Sequence, residues 1–496
     1  MSTKTDLILI NPGNKKQDYG SLAGSLAGIE PPLTIALLAA YLRHEGFCVQ
    51  IIDADAEGLD VEQTVARITE ASPLVVGVGA LGPNPSASST PKMAAIRPLL
   101  NAIRQQNGSC KTVLFGIHPA ALPEQTLRQE AVDFVVRGEA FYPVKDLLHA
   151  LRAGERASTI NGLCLLQNDR LIDNGWAGLV ADLDSLPSAA WDLLPMNKYR
   201  AHNWHCLDDP DHRSPYAVIY TGLGCPYHCH YCNIHALYDG KPGLRLRSPH
   251  RVLADIDRLH QQYHVRHIKI MDELFVINRE RLFEICELLI ERDYGLNIWA
   301  YARVDTVSEA VLAKLKKAGV NWLAFGIEAG SPAVRRGVAK GRFDQDRVYK
   351  AVAMAHQAGI HVLGNFMFGL PGDDMETMRE TLALARSLEC EYVNFYTTMA
   401  YPGSPLYEEA VTQGWPLPET WKGYSQFSPE TLPLPTKHLT AAQVLKFRDE
   451  AFDAYYSDPG YQNMIGRKFG PEAVTHIRQL LTHKLQRNIL AKNGSG

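Results

Sequence analysis

The chain has 496 residues, of which 46% are hydrophobic and 21% are charged. This balance is typical of a folded protein with large buried cores and excludes a chain that is disordered throughout. The formal net charge is -4 and there is no long run of Lys and Arg, so the sequence provides no positive field for a phosphate backbone. We therefore expect no nucleic-acid partner.

The first predicted element is a strand over residues 7–10, which ends at Asn11-Pro12-Gly13. Its apolar stretch is too short to span a membrane, and no small-residue cleavage pattern of a signal peptide follows it. We therefore expect a cytoplasmic protein without a membrane span. The nine cysteines include six that are isolated along the chain, and we interpret these six as buried free thiols rather than as a disulfide framework.

Short strands and amphipathic helices alternate through residues 1–150, which predicts a parallel, doubly wound α/β domain. Ligands of such sheets bind at the carboxyl ends of the strands, where Gly- and Pro-rich stretches occur at 11–13 and 82–91. Residues 151–210 carry many turn residues and little periodicity, so we predict a connecting region there. The predicted strands are 7–10, 49–53, 74–79 and 113–116, and the clearest helix is 33–44.

A second alternation of strands and helices occupies residues 211–400 and predicts a (βα)6 partial TIM barrel, whose active face collects the loops after the strands. In the helix near Met375, Asp373 and Glu376 are predicted to form a capping box. Residues 401–496 are predicted to form a C-terminal extension, a helical module with helices over 440–456 and 471–492. The predicted barrel strands are 217–221, 267–271, 297–301, 321–327, 360–368 and 392–399.

The central motif is a CxxxCxxC directly after the first barrel strand, formed by Cys225, Cys229 and Cys232. Three thiolates can bind three irons of an iron–sulfur cluster, and no fourth cysteine lies nearby, so one iron is left open. Spacing alone leaves structural zinc as an alternative, because a histidine would complete a four-ligand site. The candidate histidines are His228, His230 and His235.

This motif, after the first strand of a six-unit βα barrel, resembles that of the radical S-adenosylmethionine (SAM) enzymes. The resemblance implies a 4Fe-4S cluster whose open iron chelates the amino and carboxylate groups of SAM. It also implies reductive cleavage of SAM to a 5'-deoxyadenosyl radical, with electrons from an external donor of the flavodoxin or ferredoxin type. Tyr231 corresponds to an aromatic residue that often packs near the adenine in this family.

Further matches to the family lie at the ends of the next barrel strands. Asp272 and Glu273 follow the second strand, Arg303 the third, and Gly326 and Glu328 the fourth. The resemblance implies that these residues bind SAM or support its site, with Arg303 and Glu328 suited to its ribose or methionine part. The turn over 369–372 is interpreted as scaffold.

The N-terminal part resembles the cobalamin-binding domain that precedes some radical SAM barrels. The matches include Pro31-Pro32-Leu33-Thr34, and the resemblance implies cobalamin contacts at Gly116, His118, Gly138 and Glu139. The Asp-x-His-x-x-Gly motif of older cobalamin domains is missing, and Asn11-Pro12-Gly13-Asn14-Lys15 takes its place. We therefore expect no histidine below the cobalt, with His118 as the alternative ligand.

Together the resemblances predict a cobalamin-dependent radical SAM methyltransferase that acts on an unactivated carbon of a small-molecule metabolite. They imply that one SAM methylates reduced cobalamin, while a second yields the radical that abstracts hydrogen from the substrate, which then takes methyl from methylcobalamin. Two alternatives stay open. One is the same cofactors with ring formation or oxidation, and the other is a metal- or cobalamin-binding sensor without turnover. The sequence identifies neither the substrate nor a catalytic residue.

Overall fold

The computed structural model describes residues 5–13, 27–106, 110–341 and 343–492. It confirms the predicted α/β class, with a doubly wound N-terminal domain, a partial barrel and a C-terminal helical module. All nine cysteines are free thiols. Four of the six isolated ones are buried as expected, whereas Cys48 and Cys110 are only half-buried.

The first sheet has seven strands in the order β2-β1-β3-β4-β5-β6-β7. Strands β1 to β5 are parallel, and their helices cover both faces, which explains why β1 and β3 are continuous apolar runs. Strands β6 and β7 add to one edge antiparallel, so part of the predicted connecting region belongs to this sheet. The strands are Leu7–Asn11 (β1), Val49–Asp53 (β2), Val75–Ala80 (β3), Lys111–Gly116 (β4), Phe134–Val136 (β5), Leu163–Gln167 (β6) and Arg170–Asp173 (β7).

The fourth N-terminal helix begins inside the Gly- and Pro-rich stretch 82–91, where no helix was predicted. Its first residue is Pro85, where a helix needs no N–H donor and the proline φ suits the helical turn. Pro91 and Pro98 lie within the same helix. The helices are Leu33–His44 (α1), Ala54–Glu57 (α2), Val61–Ala71 (α3), Pro85–Gln106 (α4), Ile117–Ala121 (α5), Pro123–Gln129 (α6) and Phe141–Ala153 (α7).

The second sheet has six parallel strands in the order β15-β14-β13-β12-β11-β8. Its edge strands β8 and β15 are not neighbours, so the barrel is open along one side. A short antiparallel pair, Gly222–Leu223 (β9) and Arg245–Leu246 (β10), flanks the loop after β8. The six strands are Tyr216–Ile219 (β8), His267–Ile270 (β11), Asn297–Ala302 (β12), Val320–Glu328 (β13), His361–Phe368 (β14) and Tyr392–Thr397 (β15).

The barrel helices confirm the alternation, but the predicted capping box was wrong by one residue. The N-cap of the sixth helix is Asp374, which exchanges hydrogen bonds with Thr377. Asp373 instead accepts hydrogen bonds from the backbone N–H groups of Gly369 and Leu370, so it stabilises the preceding turn. The helices are Pro249–Tyr263 (α8), Arg279–Arg292 (α9), Glu309–Lys317 (α10), Pro332–Gly337 (α11), Gln345–Gln357 (α12) and Met375–Ser387 (α13).

The C-terminal helices cover the open edge at β15. The hydroxyl of Tyr456 accepts from the N–H of Val393 at 3.0 Å and donates to its C=O at 2.7 Å, while Arg448 Nε donates to Phe395 O at 2.8 Å. The predicted helix 471–492 is two helices, and the helix preceding it was not predicted. The helices are Pro405–Thr412 (α14), Ala441–Tyr456 (α15), Pro459–Phe469 (α16), Pro471–Thr482 (α17) and Asn488–Lys492 (α18).

The segment before β8 plugs the barrel at the start of its strands. Trp204 packs edge-on against Trp299 and Trp322, with ring centroids at 5.0 and 5.3 Å, and stacks on Tyr392 at 6.0 Å. This aromatic floor closes one end of the barrel. The opposite end, where the strands terminate, therefore provides access to the interior.

Candidate functional site

The three motif cysteines lie on one loop between β9 and β10, at the carboxyl end of β8. Gly224 has a φ of 95°, and a Cβ there would come within 2.4 Å of the carbonyl oxygen of Gly243. The N–H of Gly243 donates to Cys225 O at 3.1 Å, and the N–H of Cys232 donates to Cys229 O at 3.0 Å. Backbone contacts thus shape the loop and leave the half-buried thiols to a ligand.

The surroundings of the three thiols bear on the choice between a cluster and a single zinc ion. Burial raises the pKa of Cys225, and it raises the pKa of Cys232 to about 12. The neighbouring thiols add to both shifts. In the part of the chain that is described, no three His, Cys, Asp or Glu side chains form a group that could hold one metal ion. A cuboidal cluster needs thiols that bind separate irons, whereas zinc needs all its ligands at one point.

The histidines proposed to complete a zinc site make contacts with groups other than the three cysteines. His235 Nε2 donates to the carbonyl of Tyr227 at 2.8 Å, and its ring stacks on the exposed His228. His230 Nε2 lies 3.6 Å from a carboxylate oxygen of Glu409. These contacts weaken the zinc alternative.

A buried ion pair lies beside the cluster loop at the end of β13. Lys340 Nζ lies 2.7 Å from Glu328 Oε1, and burial, with the nearby Glu328 carboxylate, raises the pKa of Tyr231. Glu328 has a φ of 70°, which costs a residue with a side chain about 1–3 kcal/mol. A Cβ at Gly326 would come within 2.6 Å of Lys340 Nζ, so the absence of a side chain there leaves room for the ion pair. Two predicted SAM residues, Tyr231 and Glu328, are thus brought together.

Arg303 reaches the same loop from the end of β12. Its guanidinium forms a two-pronged ion pair with Asp305, at 2.9 and 2.8 Å, and lies 3.9 Å from the centre of the Tyr227 ring. Tyr227 is inside the cysteine motif, between Cys225 and Cys229. Tyr227 was not predicted as a site residue, although its place within the motif could have indicated it.

The two carboxylates after β11 differ in how many of their oxygens accept a hydrogen bond. Asp272 accepts from the N–H and the hydroxyl of Thr221, at 2.6 and 2.5 Å, and so joins the ends of β11 and β8. Glu273 Oε1 accepts from the Tyr238 hydroxyl at 3.1 Å, but Glu273 Oε2 is buried without a partner among the described residues. Burial raises the pKa of Glu273 to about 7. Glu273 therefore offers an acceptor to a cationic or hydrogen-donating ligand group.

The N-terminal domain contacts the cluster loop directly. Ser86, in the first turn of α4, donates to Asn233 Oδ1 at 2.6 Å, and its Oγ lies 3.9 Å from Cys232 Sγ. On the barrel side, Lys269 Nζ donates to both oxygens of Glu30, at 3.2 and 3.0 Å, and to Pro83 O at 2.7 Å. The carboxyl end of the first sheet therefore faces the active face of the barrel.

A pocket opens at this junction and has a polar wall from the first sheet. It is lined by Asn11 and Lys92 on that side, and by Tyr220 and Met271 on the barrel side. Lys92 donates to Asn11 Oδ1 and Leu81 O, and the Asn11 amide donates to Asp53 at 2.7 Å. This is where a doubly wound sheet binds an extended ligand, so the site fits cobalamin. Asn14 and Lys15, of the predicted lower-face loop, lie outside the described residues.

Three of the four residues predicted to bind cobalamin make close contacts with other residues of the chain. Gly116 and Gly138 have φ values of 134° and 107°, and a Cβ would strike the carbonyl oxygens of Ala80 and Tyr238. Glu139 is buried and accepts from Arg245 Nη1 of the barrel at 3.1 Å. Whether these residues also contact cobalamin stays a prediction.

His118, the fourth predicted residue, is completely buried. Its Nδ1 lies 3.2 Å from Thr90 Oγ1, and the ring of Trp421 packs edge-on against it with centroids at 4.5 Å. Within the described residues, Nε2 has no hydrogen-bond partner. Burial lowers the pKa of His118 to about 3, so the imidazole is neutral at pH 7.

The comparisons with known proteins agree with these two regions. Family models match the radical SAM superfamily over residues 219–385 and the B12 binding domain over residues 20–148. An uncharacterized methyltransferase of Pyrococcus horikoshii is 30% identical over 430 residues, 86% of this chain and 88% of that protein. An anaerobic magnesium-protoporphyrin IX monomethyl ester cyclase of Rubrivivax gelatinosus is 27% identical over 401 residues, 79% of this chain and 68% of that protein.

Among solved structures, the chain resembles the radical SAM methyltransferase TsrM from Kitasatospora setae, determined with cobalamin and a 4Fe-4S cluster bound. The TM-score is 0.69 at 17% identity, over 97% of this chain and 100% of that chain. This likeness supports the two-domain architecture with its helical C-terminal region. Of the helices that the structure describes, none is long and apolar enough to cross a membrane.

Proposed function

This chain belongs to the cobalamin-binding radical SAM enzymes, and from that premise we propose that it methylates an unactivated carbon of a small-molecule metabolite. Its cofactors are a 4Fe-4S cluster, SAM and cobalamin. The observation that carries the proposal is the contact of Ser86 with Asn233 and Cys232, because it joins the cobalamin-binding sheet to the cluster loop. A methyl carrier and a radical source are thereby expected on one active face.

The residues at the strand ends have different proposed binding roles. Cys225, Cys229 and Cys232 would hold the cluster, whose role when bound is to supply the electron that cleaves SAM, while cobalamin supplies the methyl group. Glu328 offers a carboxylate to the SAM ribose or methionine part, and Lys340 beside it holds that carboxylate in place. Glu273 Oε2 is the remaining buried acceptor and suits a cationic group of SAM.

Apolar side chains shield one part of the site from water. Tyr231 packs between apolar groups from two directions, with Leu370 and Val338 on one side and Leu406 and Leu434 on the other. The aromatic floor at Trp204 closes the barrel from below. A radical reaction needs such a closed site, since solvent would quench reactive species.

Ring formation with the same cofactors is the second candidate, favoured by the likeness to the magnesium-protoporphyrin cyclase. Both candidates use the cluster and SAM in the same way, so site variants do not separate them. The product does, because methyl transfer adds carbon to the substrate and ring formation does not.

The test supplies SAM with a trideuterated methyl group to the anaerobically reconstituted, cobalamin-loaded protein, together with a metabolite extract of its source cells and an electron donor of the flavodoxin type. We expect a trideuteromethyl product, accompanied by equal amounts of S-adenosylhomocysteine and 5'-deoxyadenosine. The Cys229→Ala variant provides the control and should form neither 5'-deoxyadenosine nor the labelled product. Formation of 5'-deoxyadenosine with a product that lacks the label would overturn methylation in favour of the second candidate.

A further inference from the structure

A cavity of about 320 Å³ occupies the open side of the partial barrel. Its inner wall includes Trp299, Tyr301 and Asn365, and its outer wall includes Arg448 and Phe452 of helix α15. Residues 83–88, which precede and begin helix α4, close it toward the N-terminal domain. The volume suits a small organic molecule rather than a macromolecule.

One charged side chain in this wall, Arg448, does not use all of its hydrogen-bond donors within the described residues. Arg448 is buried, its Nε donates to Phe395 O at 2.8 Å, and its Nη1 donates to Asp449 Oδ1 at 2.8 Å. Its Nη2 has no hydrogen-bond partner in the described part of the chain. The planar guanidinium therefore keeps donor positions that a ligand can occupy.

The positive charge at Arg448 is only partly balanced. Asp449 also accepts two hydrogen bonds from Arg487, at 2.9 and 3.0 Å, so two guanidinium groups share one carboxylate. Burial lowers the pKa of Arg448 from its ordinary value, the direction expected for a cation with incomplete compensation.

The two lysines that line the cavity are each paired with a carboxylate. Lys269 pairs with Glu30 at 3.0 Å, and Lys484 pairs with Asp453 at 2.7 Å. The group of Arg448, Asp449 and Arg487 thus leaves one net positive charge at the cavity wall. A buried net charge is unfavourable until a counter-charge arrives, so the wall selects an anion.

We propose that the methyl acceptor carries an anionic group, a carboxylate or a phosphate, which binds Arg448, while its flat or apolar body lies against the aromatic wall. A guanidinium matches both kinds of anion with two parallel hydrogen bonds. The hydroxyls of Tyr301 and Tyr396 face the same interior and form no hydrogen bond within the described residues, so they can contact the body of the substrate. The inference rests on the proposed function, because it assigns the acceptor to this cavity.

The experiment measures quenching of tryptophan fluorescence in the reconstituted enzyme, with saturating SAM, because Trp204 and Trp299 line the cavity. The probes are benzoate, phenyl phosphate and benzyl alcohol, which share a ring and differ in charge. A charge-assisted hydrogen bond is worth roughly 1.5–3 kcal/mol, so at least one anionic probe should bind at least about tenfold more tightly than benzyl alcohol. The better of the two anions distinguishes carboxylate from phosphate.

The variant Arg448→Gln should remove that preference, raising the Kd of the better anion about tenfold or more. Arg448→Lys keeps the charge and should restore part of the affinity. The matched control is Arg386→Gln, since Arg386 contacts the same helix through Ala454 O but lies on the exposed surface. If Arg448→Gln does not fold, the comparison of probes on the parent enzyme decides.

Equal affinity of the parent enzyme for benzyl alcohol and both anions would overturn the proposal, as would an unchanged Kd in folded Arg448→Gln. Neither result depends on methyl transfer, which the labelled-SAM experiment measures separately. Strong anion binding without a labelled product would overturn methylation and leave this inference standing.

Discussion

At the scale of single residues, the cluster site has three thiols and no spare one. We expect Cys225→Ala, Cys229→Ala and Cys232→Ala each to remove the cluster, because every thiolate binds a separate iron. Iron and sulfide content, with the cluster absorption of the anaerobic protein, measures this. The control is Cys286→Ala, which removes a buried thiol far along the chain and should keep its iron. Unchanged iron in all three motif variants would contradict the assignment, and stoichiometric zinc would support the zinc alternative.

The buried pair of Glu328 and Lys340 provides a second test. We expect Glu328→Gln to weaken SAM binding about tenfold or more, because it removes a charged acceptor and leaves Lys340 buried without its partner. Equilibrium dialysis with labelled SAM measures the affinity, and iron content should stay unchanged. Glu409→Gln is the matched control, since the Glu409 side chain is only half-buried and lies near His230 of the cluster loop. Parent-like SAM affinity in Glu328→Gln would remove Glu328 from the SAM site.

The sequence predicted Glu328 and Arg303 because both follow barrel strands at positions that match a family pattern. It could not predict Lys340, because that lysine reaches Glu328 only after helix α11 returns the chain to the strand end. The distinction between Asp272 and Glu273 was also not predictable, since the two residues are adjacent. Only the structure shows that the oxygens of Asp272 are used by Thr221 while one oxygen of Glu273 has no partner among described residues.

At the scale of elements, two neighbouring aspartates at the start of helix α13 have different hydrogen-bonding roles. We expect Asp374→Ala to cost about 1 kcal/mol of local stability, because it removes the N-cap. Asp373→Ala should cost more, because it leaves the buried N–H groups of Gly369 and Leu370 without an acceptor. Hydrogen-exchange mass spectrometry over 369–380 measures both effects.

The control for this pair is Glu376→Gln, which tests the residue that the sequence pattern had selected. Glu376 makes no capping hydrogen bond, so its loss should affect exchange less than Asp374→Ala, through the helix dipole alone. Faster exchange in Glu376→Gln than in Asp374→Ala would show that the cap is assigned to the wrong residue.

The elements themselves were predictable where apolar periodicity is strong. Strand β2 and helix α1 have the predicted bounds, and the six barrel strands differ from prediction by a few residues at their ends. Strands β6 and β7 were missed, because both are short and lie among turn residues, and the side chains of β7 are all half-buried or exposed. The start of α4 was missed because its proline and serine residues are typical of loops.

At the scale of the whole molecule, we expect the contact between the domains to form the environment of the cobalt. We expect bound cob(II)alamin to lack a histidine ligand from the protein, because His118 is packed against Trp421 and Thr90 rather than exposed to a ligand. Electron paramagnetic resonance of the parent and of His118→Ala measures this. Nitrogen coupling that is present in the parent and lost in His118→Ala would identify His118 as the lower ligand.

The sequence could indicate two domains but not their faces of contact. Ser86 and Asn233, or Glu139 and Arg245, are far apart in the chain, and each is an ordinary surface residue type. Such pairs follow from docking of complete domains, which no local pattern encodes. The cavity on the open side of the barrel was not predictable for the same reason, since its walls come from the barrel, the N-terminal domain and helix α15.

The cover over strand β15 has a consequence for solubility. An open barrel ends in a strand with free backbone groups, and here Tyr456 and Arg448 satisfy part of that row in place of a seventh strand. A chain that ended before Ala441 would leave the row bare, and bare edges pair with the edges of other chains. The helix that carries the proposed anion site thus also protects the barrel against self-association and amyloid-like stacking.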